Sequence, residues 1–161
     1  MSSANPSHPP IAAPGRVVGI DLGSRRIGVA VTDSAQLVAT AASVVRRSGN
    51  RVADHRALAQ LVADYEAVGV VAGLPVSLSG HIGPAAAAAL DEVEELRGAL
   101  PVEVETVDER LTTQAAARGL RAVGRRARQQ RPVIDQAAAT VLLQTWVERR
   151  RQAAGTTRGR Q

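Results

Sequence analysis

The chain of 161 residues reads as one folded domain, spanning about 15–149, between a disordered leader (1–14) and a disordered basic tail (150–161), a length that excludes two catalytic domains. Its 45% apolar content suffices for a core, but with no Phe, one Trp and one Tyr that core is aliphatic, and stacking of bases on aromatic platforms is all but excluded. The absence of Cys excludes disulfides, thiolate metal sites and cysteine nucleophiles, and the net charge of +5 sets twenty basic residues, all Arg, against fifteen acids.

The first element is Arg16 to Leu22, RVVGIDL, an apolar β-branched run that stops at Gly23 and Ser24. Ile27 to Thr32 is a second strand and Leu37 to Val45 a third, and their short connections predict an antiparallel meander. The period then lengthens: Leu58, Leu61 and Val62 lie at helical spacing within Val52 to Tyr65. Val68 to Gly73 is a continuous apolar strand of the parallel type, followed by a loop from Leu74 to Gly83. Pro84 suits the first position of a helix reaching about Leu96, and Val102 to Val107 is a fifth strand. Thr112 or Thr113 can cap a further helix. Pro132 opens the last helix, which runs through Glu148 with Ile134, Ala137, Ala138, Val141, Leu142 and Thr145 on one face; Trp146 is expected in packing. The order is an α/β fold: a mixed five-stranded sheet, three strands in a meander and two parallel, with helices on both faces.

No run approaches the roughly 18–20 consecutive apolar residues that span a bilayer. The leader MSSANPSHPPIAAPG has no basic segment followed by an apolar one, so it is not a signal peptide, and a cytoplasmic location without membrane contact is expected.

Charge is segregated along the chain. Six Arg and no acid occur from Arg118 to Arg131, whereas Asp91 to Glu109 holds eight acids against Arg97 alone. Arg clusters suit phosphate, because the planar guanidinium donates paired hydrogen bonds and stays ionised, although such a cluster can equally be a solvated helix face. Arg118, Arg121, Arg125, Arg126 and Arg128 are candidate nucleic-acid contacts, joined by Ser24, Arg25 and Arg26 at the first turn and by Arg110.

Candidate catalytic residues are acids at strand ends. Asp21 interrupts an apolar strand, where a desolvated carboxylate requires an Arg partner or a metal. Asp108 and Glu109 close the fifth strand; alternation lets only one share a site with Asp21, and the longer Glu109 is favoured, the other reading being that both begin a turn and pair with Arg110. Asp135 lies in the first turn of the last helix, where the helix end favours its charge. Converged carboxylates repel unless cations neutralise them, and an all-oxygen set of Asp21, Glu109 and Asp135 selects Mg²⁺ or Mn²⁺. Such ions support in-line hydrolysis of a phosphodiester, which makes a metal-dependent endonuclease the leading expectation. A non-catalytic RNA-binding assembly factor is the alternative.

Four blocks, GIDLGSRRIGVAVTD, VVAGLPVSLSG, VDERLTT and IDQAAATVLLQTW, in this order, closely resemble the YqgF family, also called RuvX. Its members are described as Holliday-junction resolvases and as nucleases acting on the precursor of 16S ribosomal RNA. The likeness covers about Arg16 to Glu148. It implies a ribonuclease-H-like fold, an acidic site on Asp21, Asp108 or Glu109, and Asp135, and pre-16S rRNA or branched DNA as partner, with a role in ribosome biogenesis among precursor particles. It leaves monomer and homodimer both open. The all-Arg basic positions and the extended ends depart from the shared pattern. DLGSRRIGVA also resembles the phosphate hairpin of actin-like ATPases, but those close a nucleotide between two such domains and this chain has room for one.

Overall fold

The computed structural model describes residues 10–75, 82–111 and 131–159, with side chains of 131–135 and 158 outside that description. Strands β1 (Val17–Leu22), β2 (Arg26–Thr32) and β3 (Ala39–Arg46) form the meander, and helix α1 (Arg51–Asp64) leads to β4 (Gly69–Leu74). Helix α2 (Pro84–Ala99) leads to β5 (Glu103–Asp108), a short 3-10 turn covers Glu109–Leu111, and α3 (Arg131–Arg158) is last. The sheet order is β3-β2-β1-β4-β5. β1 and β2, and β2 and β3, pair antiparallel, while β4 runs parallel to both β1 and β5. The ribonuclease-H-like mixed sheet expected from the sequence is therefore present. The helix expected to start at Thr112 or Thr113, and residues 76–81 of the expected loop, lie outside the described residues.

Strand alternation sorts side chains to two faces. Val18, Ile20, Val70, Ala72 and Val104 pack with Leu58 and Val62 of α1 and Val93 and Leu96 of α2. Val17, Val71 and Val107 pack on the opposite face with Ala139, Leu142, Leu143, Trp146 and Val147 of α3. The buried stripe of α3 thus differs from the expected one: Leu143, Trp146 and Val147 carry the apolar volume, while Ala137 and Ala138 are only partly covered. Gly19 sets how closely α3 sits, because a Cβ there would lie 2.7 Å from Leu143 Cβ and 3.3 Å from the Ala139 carbonyl oxygen.

Three boundaries move. β3 begins at Ala39 rather than Leu37, because Asp33 Oδ1 accepts the Leu37 and Val38 N–H groups at 2.7 and 2.9 Å and holds that stretch in a turn. The leader expected to lack structure through residue 14 contains a buried anchor. Ile11 fills the space above Gly69 and donates its N–H to Glu105 Oε2 at 3.0 Å, and its carbonyl accepts from Arg150, whose guanidinium lies 5.0 Å over the Trp146 ring. The tail, expected to lack order from residue 150, continues α3 to Arg158 with exposed side chains at 151–157. Arg151 to Ala154 favour helix and extend one already nucleated by packing, and past Gly155, a weak helix former, the Thr156 and Thr157 hydroxyls donate to the Gln152 and Ala153 carbonyls at 3.0 and 3.1 Å. Among the described residues no helix is long and apolar enough to cross a membrane.

Replacing Gly19 by Val forces α3 away from β1. Urea unfolding of the variant is expected to show a loss of about 1–3 kcal/mol, typical of an overpacked core, and an unchanged midpoint would show that Leu143 can yield.

Candidate active site

The carboxyl ends of β1, β4 and β5 form one edge of the sheet, since these strands run parallel. Ile20 is level with Ala72, Gly73 with Val107 and Leu74 with Asp108, so Asp21, Gly73 and the residues just past Val107 meet at that edge. Alternation puts Asp21 on the α3 face, with Val17 and Gly19, and gives Glu109 the same parity as Val107. Gly73 stands between them. A Cβ on Gly73 would lie 3.2 Å from Glu109 Oε1 and 3.3 Å from Leu142 Cδ1, so the missing side chain is the space into which Glu109 folds.

The electrostatics agree with this placement. Burial pushes the Glu109 carboxyl above its ordinary range, and the negative charges of Asp21 and then Asp108 push it further. The charge of Asp21 thus adds to burial in opposing the ionisation of Glu109, an arrangement that a cation would relieve. Asp108 has a different environment. Its Oδ1 accepts the Arg110 N–H at 2.9 Å and its Oδ2 accepts Arg110 Nε at 2.7 Å, and these hydrogen bonds hold its carboxyl below the usual carboxylate range. The pairing with Arg110 weighed for both acids is thus observed for Asp108.

Asp135 lies on α3, whose backbone fixes its level. Leu142 packs above Gly73, and Arg150 reaches Ile11 above Gly69 at the other end of β4, so α3 runs antiparallel to β4. Asp135 precedes Leu142 by two turns, about 10 Å at 1.5 Å per residue, which carries its backbone toward the edge of Asp21 and Glu109; its side chain lies outside the described residues. Among the described residues no group of three acids or histidines is gathered that could hold a metal. The β1–β2 turn belongs to the same edge: Ser24 and Arg25 are exposed and Arg26 half-buried. A Cβ on Gly23 would collide with the Arg26 carbonyl oxygen, so this tight turn requires glycine. Arg118, Arg121, Arg125, Arg126 and Arg128 lie outside the described residues.

A polar cluster on the other face escaped the sequence reading. Glu92 of α2, buried, accepts from Arg47 Nη1 and Nη2 at 2.6 and 2.9 Å, and its Oε1 lies 3.0 Å from His55 Nε2. Asp54, also buried, accepts the Ser48 N–H and hydroxyl at 3.0 and 2.7 Å. The signal was present: His55 is three residues before Leu58 and Glu92 four before Leu96, which puts both on the apolar stripes of their helices.

Comparison with known proteins completes the picture. The model of the family described as "RuvX: Holliday junction resolvase" matches residues 15–149. The chain belongs to the RuvX family. Among similar RuvX relatives, a Mycobacterium sp. (strain KMS) protein named "Putative pre-16S rRNA nuclease" is 50% identical over 140 residues, covering 86% of this chain and 83% of the relative. A protein of the same name from Rhodococcus opacus (strain B4) is 48% identical over 151 residues, covering 90% and 85%. In fold, the chain is similar to T. thermophilus RuvC solved in complex with a Holliday junction substrate, with a TM-score of 0.57 at 18% identity, covering 86% of this chain and 96% of that one. RuvX proteins are nucleases, and this chain is accordingly a phosphodiester hydrolase.

Two outcomes are expected. Gly73→Ala should displace Glu109 and lower cleavage roughly ten- to hundredfold, as small misplacements of reacting groups do, with little change in thermal midpoint; steady-state kinetics beside a melting curve checks this. Glu92→Gln should destabilise the fold in a pH-dependent way. Burial pushes the Glu92 carboxyl up, but the hydrogen bonds of Arg47 and His55 and nearby Arg charge outweigh it, leaving it below a glutamate's ordinary 4.5. The ionised carboxylate then stabilises the fold fully above 4.5, and that contribution is lost as pH falls through the folded value. The difference in unfolding free energy between wild type and variant should shrink on acidification, and a gap independent of pH would contradict it.

Proposed function

We propose that this chain is a divalent-metal-dependent endonuclease of the cytoplasm that hydrolyses phosphodiesters in structured nucleic acid, with the 5′ side of precursor 16S rRNA as its main substrate and branched DNA as the second class. The observation that supports it is the meeting of Asp21 and Glu109 across Gly73 at the carboxyl edge. Asp21 and Glu109, with Asp135 approaching on α3, would hold Mg²⁺ or Mn²⁺; the donors are all oxygen, and the burial and neighbouring negative charge that raise Glu109 are the condition a hard cation would answer. When bound, the metal would activate water and stabilise charge on the phosphate.

The chain's own groups do the rest. Asp21 stands near the end of β1 and Glu109 just past the end of β5, so the core that fixes these strands also positions both acids before substrate arrives. Ser24, Arg25 and Arg26, on the adjoining turn, are placed to take the flanking phosphates of a strand entering over Asp21, and Arg110, folded onto Asp108, keeps that second acid from competing for the cation. The basic positions Arg118, Arg121, Arg125, Arg126 and Arg128 would add affinity that falls as salt rises. The relatives' name favours RNA, and the RuvC likeness concerns the fold.

The test compares a precursor 16S transcript with a four-way DNA junction, each with Mg²⁺ or Mn²⁺, while the solution mass is measured. Wild type should cut the transcript at its 5′ side, and Asp21→Asn should abolish cleavage and weaken Mn²⁺ binding measured by calorimetry. Retained cleavage in Asp21→Asn would remove the metal site from the mechanism. RNA binding by wild type without cleavage under any metal would make the chain an assembly factor instead.

A further inference from the structure

Arg47, directly after β3, joins three parts of the molecule. Its Nη1 and Nη2 donate to Glu92 of α2 at 2.6 and 2.9 Å, its Nε donates to the Gly23 carbonyl at 3.0 Å, and its own N–H donates to the Arg25 carbonyl at 2.9 Å. The guanidinium and the N–H thus grip the β1–β2 turn on both sides of the exposed Ser24. Gly23 in turn donates its N–H to the Asp21 carbonyl at 3.0 Å, which links the gripped turn to the acid.

The orientation of the guanidinium is set from behind. Glu92 has a side chain only 5% exposed, and His55 Nε2 lies 3.0 Å from the same Oε1 that accepts from Arg47. A buried carboxylate engaged in this way fixes the plane of the guanidinium, and the plane aims Nε at Gly23. An ion pair alone does not explain the arrangement, since any cation would neutralise Glu92. The third contact, to a backbone carbonyl of the turn, needs the planar fork of Arg.

We propose that Arg47 is a positioning residue for cleavage: anchored by Glu92, it clamps the β1–β2 turn so that Asp21, Ser24 and Arg25 keep their places at the carboxyl edge, without itself touching substrate. The catalytic part of this inference rests on the nuclease reading; the clamp rests on the hydrogen bonds alone.

Arg47→Lys separates clamp from ion pair, because lysine keeps a positive charge opposite Glu92 but has no fork to hold Gly23 at the same time. The expected result is a fall in kcat of about tenfold with KM within about twofold, and faster amide exchange across residues 22–26 in the metal-free protein, with most of the thermal stability retained. Glu92→Gln, which keeps volume and an acceptor but frees the guanidinium, should move both readouts the same way by less. Wild-type kcat in Arg47→Lys, unchanged exchange at the turn, or a rate loss that merely tracks the folded fraction would each overturn the proposal. A wild-type chain that cuts neither transcript nor junction overturns the nuclease reading and the catalytic part with it, and exchange then decides the clamp by itself.

Discussion

Two half-buried carboxylates, Asp21 and Glu109, are brought to one edge of the sheet, where the charge of Asp21 adds to burial in opposing the ionisation of Glu109. Neither acid would choose the other in an unfolded chain. They share that edge because β1, β4 and β5 run parallel, which aligns their carboxyl ends, and because the missing side chain of Gly73 leaves the space into which Glu109 folds. The crossovers through α1 and α2 lie on one face, so the opposite face is left to α3. A local conflict of this kind persists only where the surrounding core over-determines the backbone, and here the strands that carry it are lined by buried valines such as Val17, Val71 and Val107.

The three residues Asp108, Glu109 and Arg110 divide the work by parity. Asp108 ends β5 and is neutralised at once by Arg110, which turns the chain into the 3-10 segment. Glu109, one step on, points to the α3 face and meets the charge of Asp21. Had Arg110 paired with Glu109 instead, the negative charge on the α3 face would be cancelled in advance. Local ion pairing and long-range convergence are thus assigned to adjacent residues, and the alternation of a strand keeps them apart.

The sheet and its strand-end acids were legible because they are written in short-range pattern: β-branched runs for strands, a lone Asp in an apolar strand, acids after the last valine of β5. Alternation allowed only one of Asp108 and Glu109 to share a face with Asp21, and the longer side chain of Glu109 made it the favoured one. What was not legible depends on contacts distant in sequence. Ile11 reads as one apolar residue in a Pro- and Ala-rich leader, and only Gly69, far along the chain, supplies its slot. The stripe of α3 was misphased because Ala137 and Ala138 look as apolar as Ala139, and the choice is made by Leu143 against Gly19 and by Trp146 under Arg150. Glu92 and His55 sit at apolar-stripe positions, yet nothing local shows that Arg47 stands opposite them.

The two ionic systems flank the end of β1 on opposite faces and have opposite logic. On the α1 and α2 face, Arg47, Glu92 and His55 are joined by direct hydrogen bonds, and Glu92 is held ionised despite its burial. On the α3 face, burial and neighbouring charge push Glu109 toward its neutral form. A buried ion pair is weak evidence of stabilisation, since apolar replacements of equal volume often do as well. Its particular property is direction: a guanidinium held by a carboxylate has few orientations left, and a backbone carbonyl placed in its plane inherits that rigidity. The compensated face can therefore hold the backbone steady at the point where the other face gathers like charges, and the turn between β1 and β2, too short to carry a core of its own, is tied through Arg47 to Glu92 of α2.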